Sequence, residues 1–290
     1  MNKIWQRLLV ALAASALVLS SAGCSLLLIP EESTLTPSAP SPSRPGTPAT
    51  GTPEERTDED FGTIQVYLVD EVAALVPAPA SDSLTASVWA DFLRVATPDF
   101  AAEIIMEYAT GDAPDSDTLA SVYPVSDDYW ALSVNLATSN DRPELIATLI
   151  HEYAHLLTLE ASQVSASTGS CPTLELDEGC ADPDSTLEAF NTRFWANYGS
   201  DAPGPGNADA DIAWNFYLEH EDDFVSDYAA TNVVEDAAEA LTSFVIEPES
   251  AQEGNSVIAK KLAFFADYPE YVAIRERLRS EFARELGWAE

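Results

Sequence analysis

Residues 141–159 read Asp-Arg-Pro-Glu-Leu-Ile-Ala-Thr-Leu-Ile-His-Glu-Tyr-Ala-His-Leu-Leu-Thr-Leu, and this stretch decides the fold. Ser139 to Asp141 are helix-capping types, and Pro143 suits a first helical turn, where its missing N–H has no partner to lose. Leu145, Ile146, Leu149, Ile150, Leu156 and Leu157 then recur at helical spacing, which predicts one amphipathic helix ending near Leu159. On it lies His151-Glu152-Tyr153-Ala154-His155. Residues four apart project from one face of a helix, so both imidazoles can meet one ion, and Glu152 can reach a water on that ion. Two ordinary surface histidines are the plainer alternative. Against it, two of the chain's three histidines fall in this motif, on an amphipathic helix directly after a strand.

A zinc ion that does chemistry needs a third protein ligand and an open fourth position. The extended HExxHxxGxxH pattern fails, because Thr158 and Ala161 stand at its last Gly and His positions, and that removes the metzincin arrangement. His220 is the remaining histidine. It sits in Leu218-Glu219-His220-Glu221-Asp222-Asp223, a run most simply read as a solvated face. The better candidate is a carboxylate on a second helix. Asn232 can cap such a helix with Glu235 three residues later in a capping-box position, and Glu235 and Glu239 share a face. By themselves these two glutamates would be an ordinary exposed pair in so acidic a chain.

HExxH followed by Tyr228-x-x-Thr231-Asn232-x-x-Glu235-x-x-Ala238-Glu239 resembles the gluzincin metallopeptidases of the anthrax lethal factor type. It is also similar to bacterial lipoproteins provisionally described as zinc-binding metallopeptidases. The likeness runs from His151 to about Leu241, and Lys261 to Glu270 is more weakly similar to the same lipoproteins. Ala154 departs from the Gly frequent in such enzymes, and Asp236-Ala237 from an aromatic pair. The resemblance implies a zincin-like metallopeptidase domain with zinc held by His151, His155 and Glu235. It further implies Glu152 as general base, Tyr228 as hydroxyl donor to the oxyanion, and Glu239 as a carboxylate orienting a ligand histidine. The expected activity is hydrolysis of peptide bonds in a peptide or protein substrate. A surface lipoprotein that keeps the fold but serves as a binding or import-associated module is the alternative.

Outward from the motif, the chain has 290 residues with 49 acidic and 13 basic side chains, a formal charge of −36. A nucleic-acid partner is excluded, because such proteins gain affinity by neutralising phosphates and this one repels them. The charge serves either to draw basic peptides or simply to keep the chain soluble. Asp112, Asp115 and Asp117 offer oxygen ligands of the kind calcium takes, without EF-hand spacing.

The N-terminus carries Lys3 and Arg7, then an uncharged apolar or small run to Gly23, ending Ser21-Ala22-Gly23-Cys24. This reads as a lipoprotein signal peptide over residues 1–23 with Cys24 as the acylated residue, placing the protein at the cell membrane on its extracytoplasmic face. Residues 24–60 read as a Pro/Ser/Thr-rich tether, with seven prolines between Pro30 and Pro53 and too few large apolar residues to offset chain entropy. Residues 61–290 are the expected folded domain. There Cys171 and Cys180 form a nearby pair, which an oxidising exterior favours as a disulfide over two free thiols.

Thr63 to Val69 alternates as a strand, Ser83 to Tyr108 reads as one or two helices broken near Pro98, and Tyr129 to Ala137 as a strand with one buried face. That last strand is the candidate edge for holding an extended peptide, with an interior position as the alternative. Helices are expected at Ser185 to Tyr198, Asp211 to Glu219, Asn232 to Ile246 and twice more near the C-terminus, the last with Ile274, Leu278, Phe282 and Leu286 on one face. The fold class is α+β, with a small N-terminal sheet and a helix-rich second half.

Overall fold

The computed structural model describes residues 51–166 and 169–288. The expected signal peptide, the expected lipid site at Cys24 and most of the expected tether lie outside the described residues. The chain is mixed α and β, a sheet in its first half and helices through its second. Strand β1 (Glu54–Asp58) pairs antiparallel with β2 (Gly62–Val69), and the short β3 (Leu75–Val76) pairs β2 further along. Helices α1 (Leu84–Ala96) and α2 (Pro98–Ile104) lead into β4 (Ile105–Gly111), followed by β5 (Ala120–Pro124) and β6 (Trp130–Asn135). The sheet order is β1-β2-β4-β6-β5, with β4 and β6 parallel and the other neighbours antiparallel.

Three expectations need correction here. Among the described residues the first strand begins at Glu54, ahead of Phe61, because the charged Glu-Glu-Arg-Thr-Asp stretch is an edge strand without apolar alternation. Backbone pairing holds it, as does Arg56, whose guanidinium bonds both oxygens of Glu107 on β4 at 2.7 and 3.0 Å. Next, Ile105 to Tyr108 are strand, not helix. Ile105, Met106, Tyr108 and Ala109 are buried on both faces of the sheet, and an apolar run this short has no period that separates the two states. Last, β6 is buried at all six positions, between β4 and β5, so the outer strand is β5.

Helix α3 (Arg142–Leu159) carries the histidine motif and packs against α1, β5 and a later helix, α6 (Val233–Ile246). Asp141 caps it, its carboxylate accepting from Glu144 N–H. Arg142 in its first turn donates two hydrogen bonds to the buried Asp91 of α1, which fixes the entry of α3 over the sheet. A two-stranded hairpin, β7 (Val164–Ser165) with β8 (Cys180–Ala181), brackets a loop closed by the Cys171–Cys180 disulfide.

The helix expected from Ser185 to Tyr198 is α4 (Thr186–Phe190), a π-helical turn (Asn191–Trp195) and tight turns to Asp201. Then come α5 (Ala210–His220), a 3-10 turn at Tyr228–Ala230, α6, α7 (Val257–Ala266) and α8 (Pro269–Glu281). Phe190, Phe244, Phe264, Phe265 and Tyr271 form one aromatic core that joins α4 to α6, α7 and α8. Leu278, Phe282 and Leu286 are buried as the C-terminal pattern required.

Candidate metal centre

Helix α3 places His151, Glu152 and His155 in the interior, at 5, 2 and 7% exposure. Helix α6 meets them with its first turn. Its cap is Asn232, whose side-chain oxygen accepts from Val234 N–H at 2.8 Å and Glu235 N–H at 2.9 Å. The Asn232 amide donates to Asn207 O at 3.0 Å, and Asn207 donates to Thr231 O at 2.9 Å, so a preceding loop pins the cap. The Glu235 side chain points to the histidines. Its Oε2 lies 3.2 Å from His151 Nε2 and 3.2 Å from His155 Nε2, and the two Nε2 atoms are 2.9 Å apart.

These spacings fit a metal ion. A tetrahedral zinc with ligands at ~2.0–2.1 Å sets its donor atoms ~3.3 Å from one another, close to each side of this triangle. Two imidazole nitrogens and one carboxylate oxygen are also the donor types zinc takes. Among the described residues this is the one group of three or more His, Cys, Asp or Glu side chains gathered closely enough to hold an ion. Asp112, Asp115 and Asp117 form no such group. Neither does His220, whose ring packs against Tyr198 and Phe216 at centroid distances of 4.8 and 4.7 Å.

Burial opposes charge on His151, but Glu235 and Glu239 outweigh it and raise its pKa well above the ordinary value. Burial likewise pushes the Glu235 carboxyl up, and His155 and His151 more than reverse this, holding it well below the carboxylate range. Glu239, one turn along α6, sets Oε1 2.9 Å from His151 Nδ1. Its Oε2 accepts from Ser226 Oγ at 2.7 Å. For Glu152, burial is the largest influence and raises its pKa, while the two histidines and a hydrogen bond from the Val122 backbone on β5 pull the other way. The half-buried Tyr228 ring lies 5.9 Å from that of His151, and burial together with a hydrogen bond to Glu235 raises its hydroxyl well above the usual range.

His151, Glu152, His155, Tyr228 and Glu235 line a cleft of about 690 Å³. One wall is β5 with Ala120, Ser121 and Val122; another is the disulfide loop with Leu176, Asp177 and Glu178. Gly206 comes so near that loop that a Cβ on it would stand 2.8 Å from Asp177 Oδ2, so a larger residue there would push the Asp177 carboxylate aside.

Two sets of residues escaped the sequence reading. Ser226 carried no signal, being one serine in a turn. Behind Glu235, the position where resemblance expects an aromatic pair holds a buried ion pair: Asp236 Oδ2 lies 2.7 Å from Lys261 Nζ and accepts from Trp195 Nε1–H at 2.7 Å. The π-helical turn carries Trp195 to that bond. A signal for this pair did exist, since Asp236 stands three residues after Val233 and four before Ala240, on the inward face of α6.

No family model matches the sequence, and no curated protein does. Among solved structures, the chain is similar to a Bacteroides caccae protein provisionally named a zinc-binding metallo-peptidase. Identity is 17%, 68% of this chain and 71% of that chain are covered, and the TM-score is 0.39.

Proposed function

We propose that this chain is a membrane-tethered, extracytoplasmic zinc metallopeptidase of gluzincin type and zincin-like fold. In this reading residues 1–23 are removed, Cys24 carries lipid, and the proline-rich stretch spaces residues 54–288 from the bilayer. The Cys171–Cys180 disulfide is of the kind that an oxidising compartment sustains. The observation that carries the proposal is the triangle of His151 Nε2, His155 Nε2 and Glu235 Oε2, with Glu152 beside it in an open cleft.

Bound by His151, His155 and Glu235, zinc would acidify a water toward neutral pH and polarise a carbonyl. Glu152, its carboxyl raised by burial, accepts the proton of the attacking water and returns it to the leaving amine. Glu152 and Val122 of β5 line the same cleft, so base and substrate strand lie side by side. Tyr228 keeps its proton, because burial and nearby carboxylates disfavour the phenolate, and so serves as a donor to the oxyanion of the tetrahedral intermediate. An extended peptide pairs its main chain with the outer edge of β5, which brings its carbonyl past Glu152.

The test is Glu152→Gln. Zinc content stays at one ion per chain, and turnover of a peptide library falls by ~100- to 10,000-fold. Glu235→Ala loses zinc, and His220→Ala keeps it. The reverse pattern in these last two would overturn the ligand set, and a wild-type protein that holds zinc yet cleaves no peptide would leave the binding-module reading in its place.

A further inference from the structure

We propose that Ser226 is a positioning residue for the metal centre, acting on His151 through Glu239. The inference rests on the zinc-binding reading above and adds a residue to it that lies on neither metal-bearing helix.

Ser226 is 4% exposed and stands two residues before the turn that carries Tyr228. Its hydroxyl makes two bonds at once. It accepts from Ala229 N–H at 3.0 Å and donates to Glu239 Oε2 at 2.7 Å. A carboxylate only accepts, so the Ser226 proton points at Glu239, and the Ala229 bond holds the oxygen in place. The other oxygen, Oε1, faces His151 Nδ1 at 2.9 Å. With both oxygens engaged, the carboxylate cannot rotate about its last bond, and Nδ1 is the ring nitrogen that carries a proton toward it. Nε2 is thereby aimed at Glu235 and His155.

His151 depends on this chain more than its neighbour depends on any equivalent. His155 Nδ1 is buried and has no hydrogen-bond partner among the described residues, where Glu239 supplies the one side-chain anchor on the far side of the histidine pair. Because the Ser226 oxygen is also tied to Ala229, the same hydroxyl sets the Tyr228 turn relative to His151. Losing it releases one ligand and shifts the oxyanion donor, while the three ligand atoms themselves stay present. Outer partners of ligand histidines commonly carry a 10- to 100-fold effect on metal affinity.

The experiment compares wild type, Ser226→Ala and Ser226→Thr by zinc competition against a chromophoric chelator. In parallel, the metal-free proteins are followed by proton NMR of the hydrogen-bonded His151 Nδ1 proton. Ser226→Ala is expected to bind zinc ~10- to 100-fold more weakly. Its low-field His151 resonance should move upfield or vanish by exchange, and Ser226→Thr, which keeps the hydroxyl, should recover most of both. Thermal unfolding of the metal-free variants separates this from a loss of fold. An alanine variant with wild-type zinc affinity and an unchanged His151 resonance overturns the inference. If wild type binds no zinc, the metal reading fails, and the His151 resonance alone then decides the role of Ser226.

Discussion

Replacing Lys261 with methionine removes a charge from the interior at nearly constant volume. Both partners of the Lys261–Asp236 pair are 0% exposed. The ammonium also donates to Asp223 O at 2.7 Å and lies 4.0 Å from the Phe224 ring centroid. After Lys261→Met the Asp236 carboxylate keeps only the Trp195 N–H, since its Oδ1 has no partner among the described residues. Burial already pushes this carboxyl up, against the pull of Lys261 and Trp195, so without the lysine it takes a proton. Protonating a carboxyl of ordinary pKa near 3.8 at pH 7 costs ~4 kcal/mol, at ~1.4 kcal/mol per unit. That agrees with the ~3–5 kcal/mol lost when a buried pair is broken from one side. The sign of the pH dependence follows. At pH 7 the folded variant holds a proton that the unfolded chain has released, so its stability relative to wild type falls as pH rises. The deficit shrinks by ~1.4 kcal/mol per unit as pH drops from 7 toward 4. Urea unfolding of both proteins at pH 7, 6 and 5, read as differences, cancels the titration of the other carboxylates. Asp236→Asn with Lys261→Met leaves Trp195 an acceptor and no lone charge, and should restore most of the loss. A deficit below ~1 kcal/mol, or one equal at pH 7 and pH 5, would refute the reasoning.

Three further outcomes are expected. Tyr228→Phe should leave zinc content unchanged and lower kcat by ~100- to 1000-fold with little change in KM; steady-state kinetics on any cleaved peptide checks it. Gly111→Ala should destabilise by ~1–3 kcal/mol, because a Cβ at the end of β4 would meet Phe61 O at 2.5 Å, and chemical denaturation measures the shift. Removing the disulfide as Cys171→Ser with Cys180→Ser opens a loop of nine-residue separation and should lower stability by ~2–3 kcal/mol, visible as a lower Tm.

The parts of the fold that could be read from sequence are those with a long period. Helix α3 announced itself through six aliphatic residues at helical spacing, a cap and a first-turn proline, and its observed ends differ from expectation by no more than a residue or two. Strand β4 did not, because its buried residues follow α2 with nothing between Ile104 and Ile105 to mark the change. What makes Ile105 to Gly111 a strand is pairing with β2 and β6, information held tens of residues away. Strand β1 hid for the opposite reason: an edge strand can be almost all charge, since backbone pairing with β2 holds it and Arg56 reaches across β2 to Glu107.

At the site the same division runs between local and distant geometry. The spacing of His151 and His155 is a property of one helix, so sequence suffices for it. Bringing Glu235 to them depends on how α6 crosses α3, and that crossing is set by residues with no metal-binding character at all. Asp236 follows Glu235 directly, so whatever fixes its carboxylate also fixes the rotation of the α6 first turn. Lys261 of α7 and Trp195 of the π-helical turn do so from one side, and Asn232, pinned by Asn207, does so from the other. Rotating α6 by one residue, about 100°, would swing Glu235 out of the triangle and aim the Asp236 side chain away from its cation. The buried ion pair and the ligand geometry are therefore two readouts of one helix phase. That gives a structural reason for tolerating a buried lysine in an aromatic core, and it is why the sequence around Lys261 bears on the candidate metal centre.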